Sequence, residues 1–274
     1  MKKLRFIKMA GSGNDFILAE TPRKGVNVKK LARQVCERTT GIGADGLILL
    51  GTSKKADYKM RIINADGSEA EMCGNGARCL AAYIVREKKP RKKIFTVETL
   101  AGILEAEAKG ETARVRLSDP RDYRPNQKIK LDGRTLNVHY IDTGVPHVIL
   151  YVQDLAQTDI AGIGRKIRFH DAFLPRGANV NFVEYDSEEL VECRTYERGV
   201  EDETKACGTG SVAAAIVSYL QLYPHAVDKN KAKMKVKTKS GEILLVSFDI
   251  HKDTITNVCL KGSAKFIAKG EYYV

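Results

Sequence analysis

The sequence predicts a mixed α/β protein of two similar halves, with more strands than helices. A Cys-Gly-polar-Gly turn followed by alanine-rich sequence occurs twice, in residues 72–82 and again in residues 206–215. A second pair of related segments, 97–104 and 236–244, places a glycine five residues after a valine in both copies. Because the two pairs keep the same order along the chain, we expect the two halves to share one architecture.

Strand predictions fill both halves, because short runs of β-branched, aromatic and other apolar residues recur between turn signals. In the first half these runs are 4–9, 16–19, 47–50, 58–63 and 95–99, and residues 28–38 are predicted to form a helix. In the second half they are 138–142, 147–152, 179–185, 190–196, 234–238, 243–250 and 255–260. Residues 119–126 contain two prolines and no apolar pattern, which predicts a linker. The expected domains are therefore 1–118 and 119–262.

Composition and charge limit the functions that the chain can have. Of the 274 residues 43% are hydrophobic and 29% are charged, as in ordinary globular proteins. No apolar run approaches the roughly 18 to 20 residues of a membrane span, so we expect a cytoplasmic protein with no membrane partner. The formal charge is +12, concentrated in residues 86–93 and 229–239. These runs have almost no aromatic residues between the basic ones, which favours solvated surface over nucleic-acid binding.

The six cysteines stand at positions 36, 73, 79, 193, 207 and 259. Their scattered spacing includes no Cys-x-x-Cys pair, so we expect no metal site. A disulfide framework is not expected in a chain of this size without an export signal, and reduced thiols are predicted. Cys36, Cys79, Cys193 and Cys259 lie in helical or strand patterns and are expected to pack in the core.

Cys73 and Cys207, the two repeated cysteines, are predicted to stand at helix N-termini. Apolar stripes follow each turn at helical spacing, Leu80, Ala81, Ile84 and Val85 in the first copy and Val212, Ala215, Ile216 and Tyr219 in the second. The first N–H groups of a helix have no partner within it and carry about half a positive charge, which stabilises thiolates and binds carboxylates. A cysteine pKa of about 8.5 is expected to fall by about one unit at such a position.

A pair of such thiols indicates a particular chemistry. If the two halves place one cysteine on each side of a ligand, one can remove a proton from a carbon atom and the other can return a proton to the opposite face. This is what inversion at a carbon requires. A single Cys-Gly-x-Gly turn would favour a structural cysteine instead, because buried cysteines are usually inert.

The full-length motif set resembles diaminopimelate epimerases. The motifs are Gly11-Ser12-Gly13-Asn14-Asp15-Phe16, Gly41-Ile42-Gly43-Ala44-Asp45-Gly46, Asn64-Ala65-Asp66-Gly67-Ser68, Cys73-Gly74-Asn75-Gly76-Ala77-Arg78, Tyr196-Glu197-Arg198-Gly199 and Glu203-Thr204-Lys205-Ala206-Cys207-Gly208-Thr209-Gly210. The resemblance implies a cofactor-independent epimerase that interconverts LL- and meso-diaminopimelate. It also implies two pseudo-symmetric α/β domains, each a bent, mostly antiparallel sheet around a central helix, with residues 263–274 returning to the first domain and a homodimer as the assembly.

The same resemblance implies the roles of individual residues. Cys73 and Cys207 would be the catalytic acid and base, and Glu197 and His147 would adjust their pKa values. The expected substrate-binding residues are Asn14, Asn64, Gly74, Asn75, Asn179, Glu197, Arg198, Gly208 and Thr209. Among them, Arg198 would hold the distal carboxylate bidentately, with Asn64 and Asn179 at the same end. No metal and no nucleic acid are expected at the site.

Two positions depart from the family pattern. Val145 stands where many members have an asparagine that touches the distal end of the substrate, and Ala268 replaces an aromatic residue associated with dimer contacts. The first departure keeps open a racemase of another amino acid on the same scaffold. A non-catalytic binding protein and a basic nucleic-acid-binding protein are the alternatives from other classes. The intact thiol pair opposes the former, and the scarcity of aromatic residues in the basic runs opposes the latter.

Overall fold

A computed structural model describes residues 3–22, 25–225, 228–252 and 254–273 of the chain. Residue contacts divide the chain into two compact units, Met1–Arg116 with Lys261–Val274, and Leu117–Leu260. Both junctions lie two residues from the domain limits expected from the sequence.

Strands dominate both units. The elements in chain order begin with β1 (Lys3–Gly11), β2 (Asn14–Glu20), α1 (Val28–Cys36), β3 (Gly46–Gly51), β4 (Tyr58–Asn64), β5 (Glu69–Ala70), α2 (Gly74–Lys88), β6 (Phe95–Thr99), β7 (Gly102–Lys109) and β8 (Thr112–Arg116). They continue with β9 (Arg121–Leu131), β10 (Arg134–Asp142), β11 (Pro146–Tyr151), α3 (Ile160–Arg168), a 3-10 turn (Asp171–Phe173), β12 (Asn179–Ser187), β13 (Leu190–Glu197), β14 (Asp202–Thr204), α4 (Gly208–Leu222), β15 (Lys229–Thr238), β16 (Ile243–His251) and β17 (Thr254–Ser263). The last strand, β18 (Lys265–Tyr273), belongs to the first unit.

The two units repeat one strand topology. In the first, β1 pairs antiparallel with β2 and β18, β2 pairs parallel with β3, and β3 pairs antiparallel with β4. Strand β4 then pairs antiparallel with β5 and parallel with β6, and β6 pairs antiparallel with β7. In the second unit β10 to β16 repeat these pairings in the same order and sense, with β9 in the place of β18. The pseudo-symmetric architecture expected from the sequence is confirmed.

A buried helix lies at the centre of each unit. Helix α2 packs against β1, β2, β3, β4, β7 and β8, and helix α4 packs against β10, β11, β12, β13, β15 and β16. Both helices are buried over their first ten or so residues, which are mostly small or aliphatic, so strands can approach from several sides. Each cysteine turn therefore begins an element that the surrounding sheet fixes in place.

The predicted strands are confirmed, and so is the helix expected over 28–38, which ends two residues earlier at Cys36. One local prediction is wrong. Residues 119–126 are not a linker, because β9 begins at Arg121 and pairs with β10. Register shifts interrupt that pairing, and Asp122 and Asn126 have positive φ, so the strand shows no regular alternation of apolar residues. Pro125 is tolerated in such an irregular strand because fewer ladder hydrogen bonds are required.

Surface and core assignments follow the sequence patterns closely. In β15 the buried residues Ala232, Met234 and Val236 alternate with exposed lysines, as predicted for a strand with a solvated outer face. Cys36, Cys79, Cys193 and Cys259 are buried, which confirms their place in the core. No described helix combines the length and apolar character needed to cross a membrane.

Candidate active site

Cys73 is the N-cap of α2. Its backbone is extended, with φ −143° and ψ 120°, and its carbonyl accepts the first helical hydrogen bond from Ala77 N at 2.8 Å. The Gly76 N–H donates to Cys73 Sγ over 3.5 Å, so the sulfur occupies the place that a serine or aspartate oxygen takes in an ordinary helix cap. The thiol is partly exposed. The predicted position at a helix N-terminus is confirmed.

Asn75 and Asn14 lie together beside this turn. The Asn75 Nδ2 donates to Asn14 Oδ1 over 2.8 Å, and Asn14 Nδ2 donates to Asp45 Oδ2 over 2.9 Å. The Asn75 side chain is itself held by Arg78, whose Nη2 donates to Asn75 Oδ1 over 3.0 Å and to the Ser12 hydroxyl. A fully buried arginine therefore fixes the orientation of two predicted substrate-binding residues.

Asn64 lies at the end of β4, in a tight turn. Its side chain is exposed and donates from Nδ2 to Ser68 Oγ over 3.0 Å, and its backbone N–H donates to Ser68 O over 2.8 Å. The turn leaves the Asn64 carboxamide oxygen on the surface, with capacity to accept a further hydrogen bond. Its place in a substrate site stays a prediction.

Cys207 is the N-cap of α4 and repeats the geometry of Cys73. Its φ and ψ are −113° and 116°, its carbonyl accepts from Ser211 N at 2.8 Å, and Gly210 N–H donates to its Sγ over 3.4 Å. The Thr209 hydroxyl lies 3.5 Å from the same sulfur. Unlike Cys73 this thiol is buried, and burial together with the negative charge of Glu197 raises its pKa to about 12.

The helix-terminus effect alone therefore does not decide the ionisation of Cys207. The sequence predicts a lowered pKa there, and the structure gives the opposite direction, because loss of hydration outweighs the hydrogen bonds from Thr209 and Gly210. Glu197 at the end of β13 is itself largely buried, and burial raises the pKa of its carboxyl group. Burial therefore opposes ionisation at both groups, and an opposite charge beside them would favour it.

Asn179 and Arg198 form a linked pair in the second unit. The buried Asn179 side chain accepts from the Arg198 backbone N–H over 2.8 Å and donates from Nδ2 to Pro146 O over 3.1 Å. The Arg198 guanidinium is half-buried, and its Nη1 donates to the carbonyl of Arg176 over 3.1 Å. Burial and the charges of Arg176 and Arg168 lower its pKa, a sign that an anion is favoured beside it.

The turn before β11 is tied to the start of α4. The Thr143 hydroxyl donates to the carbonyl of Thr209 over 3.1 Å, and Thr143 N donates to the carbonyl of Val145 over 3.1 Å. Val145 is partly exposed, and His147, two residues later, is completely buried. Burial lowers the pKa of His147 to about 3, so its imidazole is neutral at physiological pH.

The structure thus collects the predicted residues into one group in each unit. Cys73, Gly74, Asn75 and Asn14 lie around the start of α2, with Asn64 in the neighbouring β4 turn. Cys207, Gly208, Thr209, Glu197, Asn179, Arg198 and His147 lie around the start of α4 and the ends of β11, β12 and β13. That the two groups face one ligand stays a prediction.

Sequence reasoning missed the buried polar residues behind these groups, Arg78, Asn181 and Thr195. One signal was present: Asn179 and Asn181 stand two apart in a predicted strand and so share a face. A repeated asparagine on the buried face of a strand is costly unless it has partners. Among the described residues, no cluster of three His, Cys, Asp or Glu side chains has the arrangement of a metal site.

Comparison with known proteins gives one family. The diaminopimelate epimerase family profile matches residues 6–121 and 139–267. The chain is 40% identical to the diaminopimelate epimerase of Aquifex aeolicus, with 97% of each chain covered. It is 42% identical to the diaminopimelate epimerase of Methanocella arvoryzae, with 99% of this chain and 97% of that one covered.

Solved structures with the same fold are more distant in sequence. A phenazine biosynthesis protein of the PhzF family from Bacillus anthracis superposes with a TM-score of 0.74 at 19% identity, covering both chains completely. A hydroxyproline epimerase from Agrobacterium vitis superposes with a TM-score of 0.68 at 14% identity, covering 98% of this chain and 92% of that one. These likenesses show a shared fold.

Proposed function

The chain belongs to the diaminopimelate epimerase family, and on that premise we propose that it interconverts LL- and meso-2,6-diaminopimelate in lysine and peptidoglycan precursor synthesis. The reaction inverts one α-carbon, so a proton must leave one face while another arrives at the opposite face. The repeated thiol supports the proposal most directly. Cys73 and Cys207 each cap a central helix of 15 residues with the same backbone and the same glycine N–H bond to sulfur.

In the proposed mechanism one cysteine acts as a thiolate and the other as a thiol. The thiolate removes the α-proton, and the electron pair of the broken C–H bond is delocalised into the adjacent carboxylate. Amides of Gly74, Asn75, Gly208 and Thr209 at the helix ends would stabilise that charge. The second thiol then gives its proton to the opposite face of the carbon. No cofactor is needed as an electron sink, and the two sulfurs titrate as a coupled pair.

Glu197 would couple substrate binding to ionisation of Cys207. Burial of the thiol and the negative charge of Glu197 hold the pKa of Cys207 at about 12. The α-ammonium of the substrate, placed beside Glu197, would offset that charge and lower the thiol pKa when a proton has to be moved. The thiol would thus remain protonated, and poorly reactive towards oxidants and electrophiles, until substrate is present.

The second carboxylate of diaminopimelate would bind at Arg198. The Asn179 side chain holds the Arg198 backbone, which directs the guanidinium, and Arg176 and Arg168 add positive charge nearby. Asn64 would contact the same end of the substrate from the first unit. Val145 has no polar side chain to add to this grip, and its backbone carbonyl is already bonded to Thr143 N.

Proton NMR of the reduced protein with LL-diaminopimelate in deuterated water tests the proposal. We expect conversion to the meso isomer with deuterium appearing at one α-carbon, and loss of conversion in both Cys73→Ala and Cys207→Ala. Cys79→Ala, a buried thiol change in α2 outside the turn, serves as the matched control and should retain conversion. Absence of exchange in the folded, reduced wild type would refute the assignment, and a panel of other amino acids would then test a racemase.

Assembly and location complete the proposal. We propose a homodimer formed through β18, where Ile267 and Tyr273 are exposed and Ala268 also faces solvent. Light scattering should give twice the chain mass, and Ile267→Glu should shift it towards the monomer; a wild-type monomer would contradict this. A cytoplasmic location is proposed because both reactive thiols must stay reduced, and no cysteine of the described chain is in a disulfide.

A further inference from the structure

Three polar side chains are buried side by side beneath the Cys207 turn. His147 on β11, Asn181 on β12 and Thr195 on β13 expose 0%, 0% and 4% of their surfaces. The Thr195 hydroxyl donates to Asn181 Oδ1 over 2.9 Å. The Asn181 Nδ2 lies 3.0 Å from His147 Nδ1 and donates to the carbonyl of Val148 over 3.1 Å. Side chains of three neighbouring strands thus form one continuous hydrogen-bonded chain.

The chain of bonds fixes which nitrogen of His147 carries the proton. The Val148 carbonyl can only accept, so the Asn181 atom beside it must be the amide nitrogen. That nitrogen can only donate, so His147 Nδ1 must accept. The buried imidazole is neutral, because burial lowers its pKa to about 3, and its single ring proton therefore resides on Nε2. Nε2 is buried and has no hydrogen-bond partner within the described residues.

The first unit shows that the fold does not require polar residues here. By strand register, Phe16, Ile48 and Ile62 occupy the positions of His147, Asn181 and Thr195. A Cβ placed on Gly76 would meet Ile48 and Ile62, whereas a Cβ placed on Gly210 would clash with Asn181 Oδ1. The same supporting position beneath the cysteine turn is therefore apolar in one unit and polar in the other.

We propose that Asn181 and Thr195 are positioning residues that hold His147 in its Nε2–H tautomer, ready to donate a hydrogen bond in the substrate complex, and that support the Cys207 turn through Gly210. Thr195 orients the Asn181 amide, and Asn181 orients the ring. His147 then acts as a neutral donor and not as a base. This inference rests on the proposed epimerase function for its catalytic consequence, but the tautomer itself is a property of the resting protein.

Nitrogen-15 NMR of the histidine ring tests the tautomer without turnover. In uniformly labelled protein we expect the His147 proton on Nε2, with the signal assigned by its loss in His147→Gln. Thr195→Val, which removes only the hydroxyl, and Asn181→Leu should both give a mixture of tautomers. Thr195→Ser should restore the wild-type spectrum. Ile62→Val and Ile48→Leu, the matched changes in the first unit, should leave it unchanged.

Steady-state kinetics with diaminopimelate tests the role in the reaction. We expect kcat to fall about tenfold in Thr195→Val and Asn181→Leu, which is less than the rate factor that a positioned acid or base contributes. KM should stay within about twofold of the wild-type value. Thr195→Ser, Ile62→Val and Ile48→Leu should keep the wild-type kcat. Thermal unfolding identifies variants that do not fold, and Thr195→Val alone carries the test if Asn181→Leu is among them.

A wild-type proton on Nδ1, or an unchanged tautomer and kcat in Thr195→Val, would overturn the inference. A wild type that does not epimerise diaminopimelate would refute the proposed function and with it the catalytic role. In that case the ring spectra would still decide whether Asn181 and Thr195 set the tautomer of His147.

Discussion

The two cysteine turns have nearly the same backbone and rest on different surfaces. In the first unit the space beneath Gly76 is lined by the methyl groups of Ile48, Ile62 and Met60. In the second, Gly210 rests on the carboxamide of Asn181, which Thr195 holds in place. The two units also differ in charge beside the turn. Glu197 in the second unit occupies the strand position that the neutral Asn64 has in the first.

The difference shows how a repeated fold can give two chemically distinct thiols. The helix N-terminus, the cap geometry and the glycine N–H bond are shared, so they cannot distinguish Cys73 from Cys207. At Cys207, burial and the charge of Glu197 raise the pKa of the thiol. An asymmetry of this kind biases which of two thiols holds the proton.

The largest expected effect comes from adding one methyl group beneath Cys207. Gly210→Ala would bring its Cβ against Asn181 Oδ1 and within 3.2 Å of Cys207 Cβ, and we expect the free energy of unfolding to fall by about 2–3 kcal/mol. Gly76→Ala meets the mobile end of Ile48 at 3.0 Å and gains helix propensity, so it should cost less than about 1 kcal/mol. Urea unfolding measures both. Equal losses would mean that the two supports are equivalent.

Glu197→Gln makes the second turn electrostatically more like the first. Removing the negative charge should lower the pKa of Cys207, although burial keeps it above the ordinary cysteine range. Mass spectrometry of alkylated peptides should show the alkylation midpoint of Cys207 at lower pH than in the wild-type protein treated in parallel. We also expect kcat/KM to fall roughly thirtyfold, because a charge-assisted bond to the α-ammonium is worth about 2 kcal/mol. If the alkylation midpoint of Cys207 stayed at the same pH, Glu197 would not contribute to the raised pKa of Cys207.

Arg78→Lys tests the hydrogen bonds by which a buried arginine orients Asn75 in the first unit. A lysine cannot reproduce the guanidinium bonds to Asn75 and Ser12, and we expect a stability loss of about 1.5–2 kcal/mol together with a raised KM. Val212 is the apolar counterpart at the same place in α4, and Val212→Ala should lower stability while leaving KM unchanged. If both variants changed only stability, Arg78 would have no part in orienting the substrate-binding residues.

The smallest expected effect concerns an ion pair that both units share. Arg61 binds Glu69 through two hydrogen bonds of 2.7 and 2.9 Å, and Arg194 binds Glu203 through two of 2.6 and 2.8 Å. Glu203 is more buried and also receives Lys239 at 2.6 Å. At neutral pH Glu203→Gln should therefore cost about 1 kcal/mol more than Glu69→Gln.

The pH dependence of these losses has a definite sign. The Arg61 hydrogen bond lowers the pKa of Glu69, and at Glu203 the bonds from Arg194 and Lys239 outweigh burial and also lower the pKa. Their stabilisation is therefore complete above the ordinary glutamate pKa of about 4.3 and is lost as pH falls through the lower folded values. Unfolding measured from pH 7 downwards should show both variants converging on the wild type, and a gap that persists in acid would contradict the ion-pair origin.

Prediction from sequence succeeded where a single residue type or spacing has one structural meaning. The paired Cys-Gly-polar-Gly turns gave two helix N-termini, and the alternating lysines of β15 gave a strand with a solvated face. It failed at residues 119–126, where two prolines and the lack of alternating apolar residues indicated a linker. Most of this segment is instead part of a strand that pairs with β10 through an irregular register. A local sequence pattern does not show whether a segment pairs with another strand, because the pairing energy comes from residues that are distant in sequence.

The sequence by itself determined the repeated architecture, the two thiols and the family, because each is encoded in contiguous motifs. Only the tertiary structure decided that Cys207 is buried beside a carboxylate, that Arg78 holds Asn75, and that Asn181 and Thr195 orient His147. These properties depend on hydration and on hydrogen bonds between strands. They arise only when residues far apart in the chain are brought within about 3 Å of one another.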